Sequence, residues 1–157
     1  MNPEALITAL NAHEVKYVIV GGFAAVLQGA SYITQDVDFC YARDEENLAR
    51  LLQALEPFHP VIRTNPDLPF DLPTLRANPN FTLDTNVGEL DLLAAIDGLG
   101  DYAEVASHAE VFEVQGQSCH VLSLEGLIAS KSVLKRRKDV QLLEELRALA
   151  ALKKQDR

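Results

Sequence analysis

Two aspartates separated by a single residue, Asp36 and Asp38, are the side chains of this sequence best suited to chemistry. Residues 33–41 alternate apolar and polar positions, with Val37 and Phe39 on the apolar parity, which predicts a β-strand. Because successive side chains of a strand point to opposite faces, both carboxylates share one face, roughly 7 Å apart. Two negative charges at this spacing repel each other, and a divalent cation is the counter-charge that carboxylate oxygens favour. The spacing therefore predicts a metal site.

The elements before this pair form a strand, a glycine turn and a short helix. Residues 17–20 are an apolar run rich in β-branched side chains, which favours a strand buried on both faces. Gly21 and Gly22 end that strand, and residues 23–28 have helix-forming composition. Gly29 follows where a left-handed residue commonly ends a helix. This order of elements predicts an α/β unit around the acidic pair.

The glycines and aspartates together resemble the signature of the DNA polymerase β-like nucleotidyltransferase superfamily, in which a hydrophobic residue and Gly-Gly or Gly-Ser precede Asp-hydrophobic-Asp-hydrophobic. In this chain the signature consists of Val20-Gly21-Gly22, thirteen residues, and Asp36-Val37-Asp38-Phe39. Thr34 is also common in that group, and the resemblance places it with the nucleotide-binding residues. A third carboxylate of the superfamily lies on a strand beside the Asp-x-Asp strand, and Asp91 matches that position. The resemblance implies an α/β nucleotidyltransferase fold, a mixed twisted sheet flanked by helices.

The same resemblance implies a reaction that transfers NMP from a nucleoside triphosphate to a hydroxyl group while pyrophosphate leaves. Asp36 and Asp38 would bind metal ions, and Asp91 would complete the acceptor-side metal and help to deprotonate the attacking hydroxyl. Two Mg²⁺ ions are the implied cofactors. Mg²⁺ prefers oxygen ligands, and two metal ions can hold the attacking and leaving oxygens of an in-line displacement. Gly21 and Gly22 would let the backbone approach the phosphates.

A basic segment in the last third of the chain adds candidates for phosphate binding. The spacing of Lys131, Arg136 and Lys138, with Asp139 next, is similar to a motif of bacterial nucleotidyltransferases of the toxin-antitoxin and abortive-infection type. The basic residues of that motif are thought to contact triphosphate, so all three are candidate nucleotide-binding residues. Lys131, Lys135 and Lys138 would share a face if one helix ran through the segment. A solvated charged surface is the alternative interpretation.

Asp91 falls in the second strand of an expected hairpin, with strands at residues 81–85 and 89–94. If the turn consists of residues 87–88, Asp84 lies directly across from Asp91. Like charges opposed in this way destabilise a hairpin unless something lies between them, so Asp84 is a second candidate for the acidic site.

Helices are expected from residue 3, over residues 44–55, after Ser123 and over 139–153. Residues 57–80 hold six of the seven prolines, which predicts mostly loop or short edge structure. That span is interpreted either as a lid over the site or as a rigid surface excursion.

Length and composition favour one domain over residues 1–157, with 48% hydrophobic residues to form its core. The net charge of -9 argues against broad, non-specific nucleic-acid binding, which needs a cationic surface. No membrane span or signal peptide is recognisable, so we expect a cytoplasmic protein without membrane contact. Cys40 and Cys119 lack ligand spacing and are expected to be reduced, buried thiols.

Two other enzyme classes are excluded by the residues themselves. A Rossmann dinucleotide site needs glycines at positions 21, 23 and 26, and this chain has Phe23 and Val26. The four histidines are dispersed, and no serine or cysteine lies in a nucleophile elbow, so a hydrolase triad is unsupported.

The acceptor of the transferred NMP is expected to be RNA, such as a tRNA end, or a protein. The acidic chain favours a protein or a small molecule over long RNA. The resemblance also implies a toxin-antitoxin or phage-defence setting, with a cognate protein partner. The alternative from another class is a non-catalytic interaction module that keeps this fold and pairs with a partner protein, as an antitoxin would.

Overall fold

In a computed structural model of the chain, the described residues are 2–31, 34, 36–133 and 137–155. They form a seven-stranded mixed sheet flanked by helices, which confirms the expected fold class. The strands are β1 Tyr17–Val20, β2 Asp36–Tyr41, β3 Val61–Ile62, β4 Phe81–Thr85, β5 Gly88–Leu93, β6 Ala95–Ile96, β7 Gly100–Asp101, β8 Ala109–Val114 and β9 Gln117–Leu122. The α-helices are α1 Pro3–Ala12, α2 Gly21–Leu27, α3 Glu45–Leu55, α4 Leu72–Ala77, α5 Tyr102–Ser107, α6 Leu124–Ser132 and α7 Arg137–Gln155.

The order of strands in the main sheet is β3-β4-β5-β2-β1-β9-β8, while β6 and β7 form a separate two-stranded ribbon. Strand β2 occupies the centre, where it pairs antiparallel with β1 and parallel with β5. Strand β1 pairs parallel with β9 on its other side. The glycine turn after β1 and the aspartates of β2 therefore lie in the middle of the sheet.

Burial of alternate side chains determines which way the β2 aspartates point. All four residues of β1 are buried, and Val37 and Phe39 of β2 are fully buried in the core. The ring of Tyr17 packs edge-on against Phe39, with their centroids 5.2 Å apart. Because the side chains of β2 alternate between faces, the core contacts of its apolar residues turn Asp36 and Asp38 to the opposite face.

Helices α1 and α6 begin where the sequence predicts them, each with a side-chain cap. The Asn2 side chain accepts a hydrogen bond from the backbone N–H of Ala5 (3.2 Å), and Ser123 Oγ accepts one from Gly126 (3.1 Å). Asp44 is the N-cap of α3 rather than its first residue. These polar caps satisfy backbone donors that have no partner within a helix.

The proline-rich span contains one helix that the sequence analysis did not predict. Helix α4 begins after Asp71, whose carboxylate accepts a hydrogen bond from the Thr74 N–H (3.0 Å). Its Leu75 is fully buried, and Arg76 Nε donates to Glu45 Oε1 of α3 (2.6 Å). Of the two interpretations of this span, the rigid surface excursion agrees with these contacts.

Two smaller features also bear on the sequence predictions. Cys40 and Cys119 are free and buried, as expected. Among the described residues, none of the helices combines the length and apolar character that crossing a bilayer requires.

Candidate active site

Three carboxylates converge on one face at the centre of the sheet. The parallel register of β2 and β5 places Asp38 directly beside Asp91, and Asp36 is two residues earlier on the same face. One carboxylate oxygen from each of Asp36, Asp38 and Asp91 lies within 4.8 Å of the other two, and all three side chains are half-buried. These three residues are called the acidic triad below. The structure thus brings together the carboxylates that the sequence motif and the resemblance singled out.

Burial and mutual repulsion make the acidic triad costly without a counter-charge. Burial, followed by the charges of Asp36 and Asp91, raises the pKa of Asp38 from 3.8 to about 7. Burial, followed by the charge of Asp36, also raises the pKa of Asp91. Within the described structure, the buried Oδ1 atoms of Asp38 and Asp91 have no hydrogen-bond partner. Clustered, unpartnered oxygens of this kind fit a hard divalent cation.

Gly21 provides the space in which the Asp38 carboxylate lies. Its φ is +66°, a left-handed conformation, and a Cβ at this position would overlap Oδ2 of Asp38 and lie 3.0 Å from its Cγ. Only glycine meets both demands at low cost. Gly22 follows in the first turn of α2, which begins two residues earlier than the sequence analysis predicted. Gly29 has the expected positive φ, +109°, just after that helix.

Thr34 contacts the acidic triad from the segment that leads into β2. Its hydroxyl donates a hydrogen bond to the backbone carbonyl of Asp36 (2.7 Å), and the same oxygen lies 3.3 Å from Asp36 Oδ1. The structure therefore places Thr34 against the first aspartate of the motif. Its suggested contact with nucleotide stays a prediction.

The basic segment does not form one continuous helix. Helix α6 ends at Ser132 and α7 begins at Arg137, so the condition under which Lys131 and Lys138 would share one helix face is not met. Lys138 is exposed in the first turn of α7. Arg136 and Lys135 lie outside the described residues.

Lys131 is the basic candidate that the structure brings to the acidic triad. It lines a cleft of about 350 Å³ together with Asp38 and Gly21. Its positive charge acts to lower the pKa of Asp38, against the effects of burial and of the other two carboxylates. Its Nζ lies 3.3 Å from Oδ1 of Asp139 on α7.

Three polar residues of this cleft were not predicted as site residues from the sequence: Asn80, Asp97 and Ser130. Asn80 Oδ1 accepts a hydrogen bond from the backbone N–H of Ala94 (3.0 Å), which ties the end of the proline-rich span to the strand region that follows β5. None of the three lies in a recognisable motif, and they come from separate segments of the chain. Only the fold brings them together.

Asp84, the second acidic candidate, lies outside the acidic triad. The β4–β5 register pairs Asp84 with Glu89, because the turn consists of residues 86–87 rather than 87–88. The Thr85 hydroxyl sets this turn by donating to the Gly88 carbonyl (2.6 Å) and accepting from the Val87 N–H (3.2 Å). The suggestion that Asp84 opposes Asp91 is therefore wrong.

The environment of Asp84 is that of a surface ion pair. Arg63 Nε donates a hydrogen bond to Asp84 Oδ1 (2.9 Å), and the Asp84 side chain is 54% exposed. This exposure contrasts with the half-buried carboxylates of the acidic triad. Asp84 is consequently a useful reference residue for mutations of the site.

Comparison with solved structures places this geometry in a known fold. LnuA, a lincosamide antibiotic adenylyltransferase solved with lincomycin, superposes with a TM-score of 0.63 at 16% identity, over 94% of this chain and 96% of its own. TM1012 of Thermotoga maritima, assigned as a nucleotidyltransferase, gives 0.60 at 17% identity, over 91% and 88%. ANT(2'')-Ia in complex with adenylyl-2''-tobramycin gives 0.56 at 17% identity, over 99% and 97%.

No protein-family profile matches the sequence, and no curated protein matches it at a significant level. The similarity is therefore one of three-dimensional structure at low sequence identity. It confirms the nucleotidyltransferase fold that the motif implied.

Proposed function

We propose that this chain is a Mg²⁺-dependent nucleotidyltransferase that transfers NMP from a nucleoside triphosphate to a hydroxyl group of RNA, such as a tRNA end, or of a protein. The observation that carries the proposal is the convergence of three carboxylate oxygens within 4.8 Å on this fold. The proposal treats residues 1–157 as one cytoplasmic nucleotidyltransferase domain. The spacing of the basic segment supports a toxin-antitoxin or phage-defence setting with a cognate protein partner.

The donor set of the acidic triad fits the implied cofactor. Mg²⁺ would be held by Asp36, Asp38 and Asp91, since it takes oxygen ligands and keeps several waters. The unpartnered Oδ1 atoms of Asp38 and Asp91 support this assignment, because a buried carboxylate oxygen without a hydrogen-bond donor needs another positive partner. When bound, two such ions supply charge neutralisation for the attacking and leaving oxygens of an in-line displacement.

Side chains of the site take part in the transfer reaction itself. The acceptor hydroxyl oxygen forms a bond to the α-phosphorus, the bond from that phosphorus to the bridging oxygen breaks, and pyrophosphate leaves. Asp91 accepts the hydroxyl proton at a carboxylate oxygen, since its carboxylate lies beside those of Asp36 and Asp38, where the reacting groups would meet. The Lys131 ammonium, which lines the cleft beside Asp38, stabilises the negative charge of the departing pyrophosphate.

The glycine turn and Thr34 prepare the site rather than react. Gly21 lines the cleft without a side chain, and Gly22 follows it in the first turn of α2, so phosphate oxygens can approach the backbone N–H groups closely. Thr34 holds the backbone of Asp36 through its hydroxyl, which keeps that carboxylate beside the other two. Lys138 and Arg136 complete the proposed set of nucleotide-binding residues on the strength of the motif spacing.

The choice of acceptor is a separate part of the proposal. The chain has 23 acidic and 14 basic side chains, so a long RNA would meet net repulsion. A protein hydroxyl, or a tRNA end held locally, avoids most of that repulsion. A small-molecule acceptor is the third class to test, because two of the similar structures, LnuA and ANT(2'')-Ia, were solved with lincomycin and with adenylyl-2''-tobramycin.

The test is label transfer from each α-³²P-labelled NTP in the presence of Mg²⁺. Total RNA, lysate protein and a panel of aminoglycosides and lincosamides serve as separate acceptors. The variant Asp36→Asn/Asp38→Asn should lose at least about 100-fold in transfer, as expected when groups that hold the reacting charges are removed. Asp84→Asn is the matched control, because it makes the same chemical change on an exposed carboxylate of the neighbouring hairpin.

Label that appears in one acceptor class with wild type and Asp84→Asn, and not with the double variant, would support the reaction and identify the acceptor. Equal transfer by the double variant would contradict the proposed site. Absence of both transfer and Mg²⁺-dependent NTP binding in the wild type would instead favour the non-catalytic interaction module.

A further inference from the structure

A buried ion pair joins the last two helices at the edge of the cleft. Lys131 Nζ on α6 lies 3.3 Å from Asp139 Oδ1 on α7, and the two side chains are only 16% and 2% exposed. Among the ion pairs of the described residues, this is the one in which neither side chain is more than 16% exposed. The Lys153–Glu110 pair, for example, has the same 3.3 Å separation, and its side chains are 40% and 35% exposed.

Stability alone is a weak reason for such a pair. Removing two charges from water costs several kcal/mol, and well-packed apolar residues of similar volume often serve as well or better. The position of the pair suggests another reason, because the same Lys131 lines the cleft with Asp38 and Gly21. The lysine therefore pairs with Asp139 and also shares a cleft with Asp38 of the acidic triad.

The two acidic groups compete for one ammonium. Lysine has a flexible four-carbon stem and three rotatable donors, so its ammonium can turn towards either of two nearby anions. The acidic triad carries more negative charge than Asp139, and it contains two buried oxygens without hydrogen-bond partners, Asp38 Oδ1 and Asp91 Oδ1. In the described structure Lys131 is nonetheless within ion-pair distance of Asp139.

We infer that Asp139 is a positioning residue, which holds the Lys131 ammonium in the cleft as a ligand for phosphate and prevents it from moving onto the acidic triad as an internal counter-ion. Without Asp139, the ammonium would neutralise the carboxylates that the cation needs. The inference rests on the proposed function, since it takes the acidic triad as a cation site and Lys131 as a phosphate ligand. It adds a role for a buried carboxylate that the sequence analysis noted only as part of a motif.

The first measurement is Mg²⁺ binding without nucleotide, by calorimetry and by the Mg²⁺-dependent rise of Tm. Asp139→Asn should weaken Mg²⁺ affinity about 10-fold or more, the usual effect of losing an outer partner at a metal site. The double variant Lys131→Met/Asp139→Asn removes the competing ammonium and should therefore return the Mg²⁺ affinity to that of wild type. Its KM for NTP should stay raised, since the phosphate ligand is gone.

Glu110→Gln is the matched control. It removes an ion pair that also ties α7 to the body of the protein, through Lys153, with the same separation of charged atoms. Its Mg²⁺ affinity should equal that of wild type. Circular dichroism and thermal melts of each variant separate loss of fold from loss of binding.

A purely structural role of Asp139 predicts a different pattern. Both Asp139→Asn and the double variant would then lower Mg²⁺ affinity equally, or neither would, and either result overturns the inference. If Asp139→Asn does not fold, Asp139→Ser takes its place: weaker Mg²⁺ binding by Asp139→Ser than by Lys131→Met/Asp139→Ser supports the inference, and equal Mg²⁺ affinity of the two overturns it. Absence of label transfer by the wild type, together with the expected Mg²⁺ pattern, would count against the proposed reaction and not against the positioning role.

Discussion

Replacement of Gly21 by alanine should disable the site while leaving the fold largely intact. Two separate costs are expected at this position. The first is conformational, because the φ of +66° forces an L-residue into the left-handed region, which costs about 1–2 kcal/mol. For a chain of this size, that corresponds to a fall in Tm of roughly 2–8 °C.

The second cost is geometric and falls on the acidic triad. A Cβ at Gly21 would overlap Oδ2 of Asp38 and lie 3.0 Å from its Cγ. Because the carboxylate is the movable end of a side chain, it can turn away, and it must move by about 1 Å to reach ordinary van der Waals separation. A misplacement of this size at a reacting centre costs about 100-fold in rate. We expect a similar loss in transfer activity and a weaker response of Tm to Mg²⁺.

Gly116→Ala separates the two costs. Gly116 also has a positive φ, +80°, in the β8–β9 turn, and a Cβ there would have no heavy atom within 4 Å. Both variants should therefore lose a few degrees of Tm in the presence of EDTA, whereas only Gly21→Ala should lose Mg²⁺ binding and transfer. Gly21→Ala with the Mg²⁺ response and activity of Gly116→Ala would refute the role given to the close approach of Asp38.

Two further predictions concern pH and the core. In EDTA, the folded protein binds more protons than the unfolded chain between about pH 4 and 7, because the pKa of Asp38 is raised in the folded state. The contribution of Asp38 to stability is therefore present at low pH and is lost as the pH rises through about 7. The Tm of Asp38→Asn minus that of wild type should therefore rise across this window in thermal melts, and a constant difference would contradict the assigned environment. Asn47 is fully buried, and its side chain accepts from the Lys16 N–H (2.7 Å) and donates to the Ala42 carbonyl (2.8 Å). Asn47→Ala should lower the free energy of unfolding by about 2–3 kcal/mol in urea titrations, whereas Asn78→Ala, which loses one bond to Thr74 (3.1 Å), should have a much smaller effect.

Local patterns predicted a large part of this fold. Strand β1 lies at the predicted residues, Gly29 has its positive φ, and helices begin at residue 3 and after Ser123 as expected. These features depend on backbone preferences and hydrogen bonds over a few residues, which the sequence displays directly. The predictions failed where short segments are stabilised mainly by tertiary contacts, as in α4, whose Leu75 is fully buried in the core.

The residues of the candidate site were also predictable from the sequence only where a local pattern was sufficient. The sequence by itself determined that Asp36 and Asp38 share a face, because the two-residue period of a strand permits no other arrangement. It named Asp91 only through resemblance, and it misjudged Asp84 because one residue of register changes which side chains oppose each other.

Only the tertiary structure decided which groups meet in the cleft. It placed Asp91 beside Asp38, brought the backbone of Gly21 close to the Asp38 carboxylate, and placed Lys131 and Lys138 on two different helices. It also brought Lys131 into the cleft with Asp38 and within ion-pair distance of Asp139. The physical reason is that pairing between distant strands and packing between helices depend on the burial of whole apolar faces, which no short stretch of sequence specifies alone.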